Sequence, residues 1–216
     1  MAESTDEEKR TVEDRLREEY FLLLPDIRRV LWQLETEIQQ CLLPIRHSLE
    51  SHEQLLVRSR IKECESAIKT LREKQEGRAF DKDRPDSYRI ADLPDLAGVR
   101  VLAFPDSRVL EADKALRDHF AAREWTSKHK DNQAGERLAY KYYGKFPELS
   151  TAILAEYQVV PMLIGLFWEV EHSALYKPPA SYRATVERLS DRLAVVENAL
   201  LSFGREFEEL IRNQDK

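Results

Sequence analysis

Asp95-Leu96-Ala97-Gly98-Val99-Arg100-Val101-Leu102-Ala103-Phe104 (DLAGVRVLAF) is the stretch around which the chain is organised. Val99, Val101 and Ala103 fall on one side of an extended chain and Arg100, Leu102 and Phe104 on the other. A run with a single polar member suits a strand buried on both faces. Asp95 would then stand at the mouth of a sheet. Ala155 to Val160 (AEYQVV) is a second candidate strand and carries Glu156. Two carboxylates on neighbouring strands can share a divalent metal that holds phosphate oxygens. The plain alternative is that both face water at strand ends.

Composition bounds the rest. The chain has 216 residues, 42% of them hydrophobic, which fits one full-sized core with helical additions. A formal charge of -6 argues against bulk affinity for nucleic acid and leaves room for a locally basic pocket. Cys41 and Cys64 form neither a disulfide framework nor metal-ligand spacing, and no apolar run is long enough to cross a bilayer. The start lacks a signal-peptide core, so the expected location is cytoplasmic, with no membrane partner.

Leu16, Tyr20 and Leu23, then Ile27, Leu31, Leu34, Ile38, Cys41 and Ile45, make a helical stripe in which Pro25 and Pro44 act as restarts or kinks. Helical propensity returns over Glu53 to Glu73, where Arg58, Arg60, Lys62, Lys69, Arg72 and Lys74 make the segment basic. This local excess in an acidic protein hints at an anionic ligand; its bland reading is a solvated face. The segment 77–88 (GRAFDKDRPDSY) reads as a loop. A helix carrying Val109, Leu116 and Phe120 follows the Asp95 strand, then strands near Trp125–Lys130 and Leu138–Phe146, whose Tyr140, Tyr142 and Tyr143 can stack on a base or simply line a sheet edge. Trp168, Glu171, His172 and Leu175 line adjacent rows of a further helix, and the Glu171–His172 pair is more simply structural than metal-binding. From Tyr182 to Leu210 apolar residues recur in steps of four and three: Tyr182, Val186, Leu189, Leu193, Val196, Leu200, Phe203, Phe207 and Leu210. Such a narrow seam needs a long helical partner, either the N-terminal stripe or another subunit.

Three blocks in order carry a resemblance to the synthetase domain of the (p)ppGpp synthetase (RelA/SpoT) family, in particular its small single-domain members. Ser59 to Lys69 (SRIKECESAIK) resembles the segment RxKxxxSxxxK, Asp95 to Val101 the strand DxxGxRV, and Glu156 to Lys177 the compound block ExQ...W...EH...YK. The resemblance implies an α+β, nucleotidyltransferase-like mixed sheet flanked by helices, with long N- and C-terminal helices. It divides the chain into a helical extension over 1–50, a synthetase-like domain over 51–179 and a heptad-patterned helix over 180–216. It implies transfer of the β,γ-pyrophosphate of ATP to a ribose 3'-hydroxyl with release of AMP. Asp95 and Glu156 would be the catalytic carboxylates and Mg²⁺ ligands. Arg60, Lys62, Lys69 and Arg108 would meet ATP, with Arg100, Gln158, Glu171, His172 and Lys177 in supporting roles. Such a protein would act in alarmone metabolism and form homo-oligomers through its terminal helices.

The acceptor side departs from the family. Where GYxSxH is expected, Glu136 replaces the tyrosine, Leu138 the serine and Tyr140 the histidine, and Val160-Pro161 replace an arginine and threonine. Arg137, Tyr140 and Tyr142 are the acceptor-side candidates that remain. The acceptor is therefore open between a guanine nucleotide, another nucleotide and the 3' end of tRNA, as in toxic small synthetases. A catalytically inactive nucleotide sensor or partner-binding module is the reading from a different class.

Overall fold

The computed structural model describes residues 11–214 apart from 76, 78, 82, 133–134 and 176–182; the side chains of 85, 172–175, 183–191, 212 and 214 also lie outside the described set. Thr11 starts the first helix through a capping box: the Asp14 amide donates to its Oγ1 at 3.1 Å, and its own amide donates to the Asp14 carboxylate at 3.3 Å. That helix, α1, runs unbroken over Val12–Cys41 with Pro25 inside it. Pro25 and Phe21, whose carbonyl a proline nitrogen cannot serve, are both on the exposed side, where water can take the orphaned acceptor. The short α2 (Leu43–His47) follows, with Pro44 in its first turn.

A six-stranded mixed sheet forms the middle layer. Its strands are β1 (Gln54–Ile61), β2 (Ala97–Phe104), β3 (Thr126–Ser127), β4 (Lys130–Asp131), β5 (Arg137–Phe146) and β6 (Ser150–Pro161). The order is β1-β2-β6-β5-β3, with β4 also on β5. Helices α3 (Cys64–Glu73), α4 (Asp106–Phe120), α5 (Met162–Leu175) and α6 (Arg183–Gln214) complete the chain. As its sequence pattern requires, β2 is buried on both faces and lies centrally, antiparallel to β1 and parallel to β6. The architecture is a nucleotidyltransferase-like α+β fold with long first and last helices.

One expectation is overturned here. The continuous helix over Glu53–Glu73 is instead β1 followed by α3. In extended form Leu55 and Val57 reach the core while Arg58 and Arg60, two residues apart, share the opposite face, and β2 supplies the hydrogen-bonding partners that a lone segment lacks.

The larger core lies between the sheet and α1, α3 and α4. It contains Leu16, Ile27, Leu34, Ile38, Ile68, Val101, Phe120 and Tyr157, all fully or almost fully buried, each side chain contributing about 1.5–3 kcal/mol through burial. A smaller core on the other face joins Leu102, Val160, Met162 and Ile164 to Leu201 of α6. Of the seam on α6, Tyr182 and the side chains of Val186 and Leu189 lie outside the described residues. The rest is not packed as a unit: Leu200 packs on the smaller core while Val196, Phe203 and Leu210 are exposed, and the described buried positions of α6 are Leu201 and Gly204 beside the seam. Within the chain α6 packs on α5 and α4. Phe207 reaches back to Phe104, with ring centroids 5.1 Å apart. Both cysteines are free thiols. Among the described residues no helix is long and apolar enough to cross a membrane.

Candidate functional site

A cavity of about 890 Å³ opens on the sheet face opposite α1. The pleat explains its floor. Gly98 and Arg100 of β2, Glu156 and Gln158 of β6, and Lys141 and Tyr143 of β5 share one face, while Val99, Val101, Tyr157, Val159 and Tyr142 turn to the large core. Gly98 pairs with Glu156, and Arg100 with Gln158, in the parallel ladder. Asp95 stands just before β2 and lines the same cavity.

The two carboxylates are held differently. Asp95 Oδ2 accepts from Lys62 Nζ at 2.6 Å in a pair whose side chains are only 15% and 22% exposed. Lys62 follows β1 directly and donates its backbone N–H to Leu96 at 3.0 Å, so the pair is fixed by main chain as well as charge. Glu156, 5% exposed, accepts from Gln158 Nε2 at 2.7 Å, and Gln158 Oε1 accepts from Arg100 Nε at 3.2 Å. The amide thus links a guanidinium to a carboxylate. Burial pushes the Tyr143 hydroxyl well above the ordinary tyrosine value, reinforced by the nearby Glu156 charge and a hydrogen bond to it. Burial, with Arg60 nearby, pushes Arg100 below the ordinary arginine value.

The lining is strongly basic for an acidic protein. Arg58, Arg60, Arg100, Lys74, Lys128, Lys130 and Lys141 face Asp95, Glu156, Glu169 and Glu171, seven cations against four anions. Arg58 is paired with Glu169 at 3.0 Å. Lys130 places its ammonium 3.7 Å from the Trp168 ring centroid, and burial lowers its pKa. Such a concave, cation-rich surface concentrates anions. Among the described residues no group of three or more His, Cys, Asp and Glu side chains is arranged to hold a metal ion.

The structure brings together Asp95, Glu156, Arg60, Arg100, Gln158 and Glu171 as lining residues, with Lys62 behind Asp95. Other candidates stand elsewhere. Lys69 pairs with Glu73 at 3.6 Å along α3. Arg108 is bound at 2.6 Å to both Glu53 and Glu111, and at 2.9 Å to the Ser48 carbonyl. Arg137 pairs with Asp131 and lies 5.1 Å from the Tyr140 ring. Tyr142 points into the large core and donates to Asp113 Oδ1 at 2.6 Å; Tyr140 packs against the same core. The His172 side chain and Lys177 lie outside the described residues.

The lysine wall formed by Lys128, Lys130 and Lys141 was not singled out by sequence reasoning. The available signal was parity: once β5 has Tyr142 inward, Lys141 and Tyr143 must face the cavity. Glu136 also has a local role. Its amide donates to Asn132 Oδ1 at 2.8 Å, its carboxylate accepts from Asn132 Nδ2 at 2.7 Å, and Arg205 of α6 pairs with it. Those donors hold its carboxyl below the usual carboxylate range.

The fold is shared with several proteins of known structure. Crystal structures of similar fold include small alarmone synthetase 1 from Bacillus subtilis bound to its product pppGpp, at a TM-score of 0.66 and 18% identity over 92% of this chain and 100% of that one. Small alarmone synthetase 2 from Bacillus subtilis gives 0.60 and 17% over 88% and 97%. A GTP pyrophosphokinase family protein from Streptococcus pneumoniae gives 0.59 and 20% over 91% and 96%. Identity at this level shows a shared fold. No protein-family model matches the chain, and no curated protein matches it in sequence.

Proposed function

We propose that the cavity binds an adenine nucleotide with Mg²⁺ and that the protein is an ATP-dependent pyrophosphotransferase acting in the cytoplasm. The observation that carries this reading is the placement of Asp95 and Glu156 at one end of the parallel β2–β6 pair, in a cavity with an excess of positive charge. The donor set suits Mg²⁺, which takes hard oxygen ligands and commonly combines one or two carboxylates with substrate phosphates and water. When bound, the ion would neutralise charge on the phosphate oxygens. Lys62 would hold Asp95 in place, and Gln158 would fix Glu156 while Arg100 fixes Gln158. Arg60 and the lysine wall would orient the phosphates and offset the charge they bring. In the reaction the acceptor 3'-oxygen bonds to the β-phosphorus, the bond between the β-phosphorus and the oxygen that bridges it to the α-phosphorus breaks, AMP leaves carrying that oxygen, and the hydroxyl proton goes to a base or water.

A non-catalytic nucleotide sensor is the second reading, favoured by Glu136 standing where the resemblance expects a base-stacking tyrosine and by its engagement with Asn132 and Arg205. Incubation with labelled ATP and a panel of GDP, GTP, AMP, ADP, ATP and tRNA separates the two. AMP release coupled to a pyrophosphorylated acceptor supports the enzyme, and binding without turnover supports the sensor. The exposed Val196, Phe203 and Leu210 on α6 further support a homo-oligomer built on that helix.

A further inference from the structure

Glu197 lies on α6, in the part of the chain beyond the resemblance, and is not among the cavity-lining residues. We infer that it is a positioning residue for the lysine wall: its carboxylate holds the Trp168 indole, whose face holds the Lys130 ammonium in the cavity. The indole Nε1–H donates to Glu197 Oε1 at 2.7 Å. This hydrogen bond fixes the rotation of a ring that already packs against the small core on one side. On its open face the ring carries Lys130 Nζ at 3.7 Å from the centroid, where attraction to the π system replaces part of the hydration lost on burial. Glu197 is also the charge that most opposes the burial effect on this ammonium. The ring face and Glu197 thus both favour the ammonium form of Lys130 against burial, and an ammonium offers N–H donors to an anion.

The carboxylate has a firm base. The next residue of α6, Asn198, accepts through Oδ1 from Asn132 Nδ2 at 3.3 Å, and about two turns further on Arg205 pairs with Glu136. These contacts attach the connection between β4 and β5 to α6, so the helix holds both the strand carrying Lys130 and the ring beneath its ammonium. The ligand assigned to Lys130, a nucleotide phosphate, rests on the proposed function; the positioning itself rests on the three-residue geometry.

The test uses the full chain with its lysines ¹³C-dimethylated, which keeps their charge, and the Lys130 signal assigned by its loss in Lys130→Arg. A methylammonium above an indole resonates upfield. Glu197→Ala and Glu197→Leu, the second retaining bulk on the helix, are expected to move the signal toward that of a free lysine, and Glu197→Gln to preserve it because its carbonyl still accepts from the indole. Affinity for inorganic pyrophosphate is expected to fall about tenfold in Glu197→Ala, the weight of one charge-assisted contact, with no further loss on adding Lys130→Ala. A Lys130 signal without an upfield shift, or one unmoved in both Glu197→Ala and Glu197→Leu, overturns the inference. If the signal moves as expected but the wild type does not bind pyrophosphate, the positioning role stands and the nucleotide reading of the cavity fails.

Discussion

Glu37 offers a quantitative test of how α1 is locked to the rest of the fold. Its side chain is nearly buried, yet three donors converge on it: Gln33 Nε2 at 2.6 Å, His119 Nε2 at 2.8 Å, and the Arg123 guanidinium. Burial pushes the carboxyl up, but hydrogen bonds from Arg123, Gln33 and His119 outweigh it and hold the group at about 2 against an ordinary 4.5. That difference corresponds to roughly 3 kcal/mol of folding stability. Because the folded-state value lies below the unfolded one, the contribution is complete above the unfolded value and is lost as pH falls through 4.5 toward 2. Glu37→Gln keeps the shape and removes the charge, so at pH 7 it should cost roughly 3 kcal/mol, and the gap from wild type should close in acid. Urea denaturation followed by circular dichroism at about pH 7, 4 and 3 measures it. A loss below about 1 kcal/mol at neutral pH, or a gap that does not narrow with acid, would refute the electrostatic account.

Asp95→Asn keeps the side-chain size and should reduce Mg²⁺-dependent ATP affinity and any turnover, since it weakens oxygen ligation and ends the ion pair with Lys62; calorimetric titration with and without Mg²⁺ would reject that role if the two proteins bound alike. Gly144→Ala should lower the melting temperature, because a Cβ there would lie 2.3 Å from the Trp125 ring, itself hemmed in by Phe120, Phe146 and Tyr157, at a cost of about 1–3 kcal/mol. Gly165→Ala should cost less, as its first clash, at 2.2 Å, is with the terminal methyl of Leu102; a larger loss than for Gly144→Ala would contradict the packing argument. Phe203→Glu with Leu210→Glu, both on exposed positions, should yield monomers with unchanged circular dichroism. Light scattering that finds the wild type monomeric over a wide concentration range would end the oligomer proposal.

The sequence was most legible where one segment determined its own surroundings. The two-sided apolar character of Ala97–Phe104 predicted a buried strand, the aromatics of Leu138–Phe146 predicted β5 in spite of poor alternation, and the stripe from Leu16 to Ile38 predicted the helical face of α1, although not that it runs unbroken through Pro25. It was least legible where a distant partner decided. Gln54–Ile61 is rich in residues tolerated by helices, and its extended form depends on pairing with β2, more than thirty residues later. The same dependence hid half of the cavity. Asp95, Glu156 and Arg60 could be named from short motifs, but whether Tyr142 or Lys141 faces a ligand depends on strand register, which the tyrosines' chemistry does not encode. Arg108 has the residue type and spacing for a nucleotide contact, yet Glu53, Glu111 and Ser48 engage it at another place in the fold.

The parallel pairing of β2 with β6 has a bearing on how this chain can change over time. Gly98 lies opposite Glu156 because the pleats of the two strands are in phase. Adding or deleting one residue within β6 ahead of Glu156 would bring Ala155 or Tyr157 to that position and turn the carboxylate into the apolar layer. Substitutions can therefore accumulate along the strand one at a time, whereas length changes there must come in pairs or be taken up beside the turn between Phe146 and Ser150, next to the shift in β5–β6 register between Gly144 and Phe146. Lineages descended from such a sequence should vary in spelling along β6 and in length only at its ends.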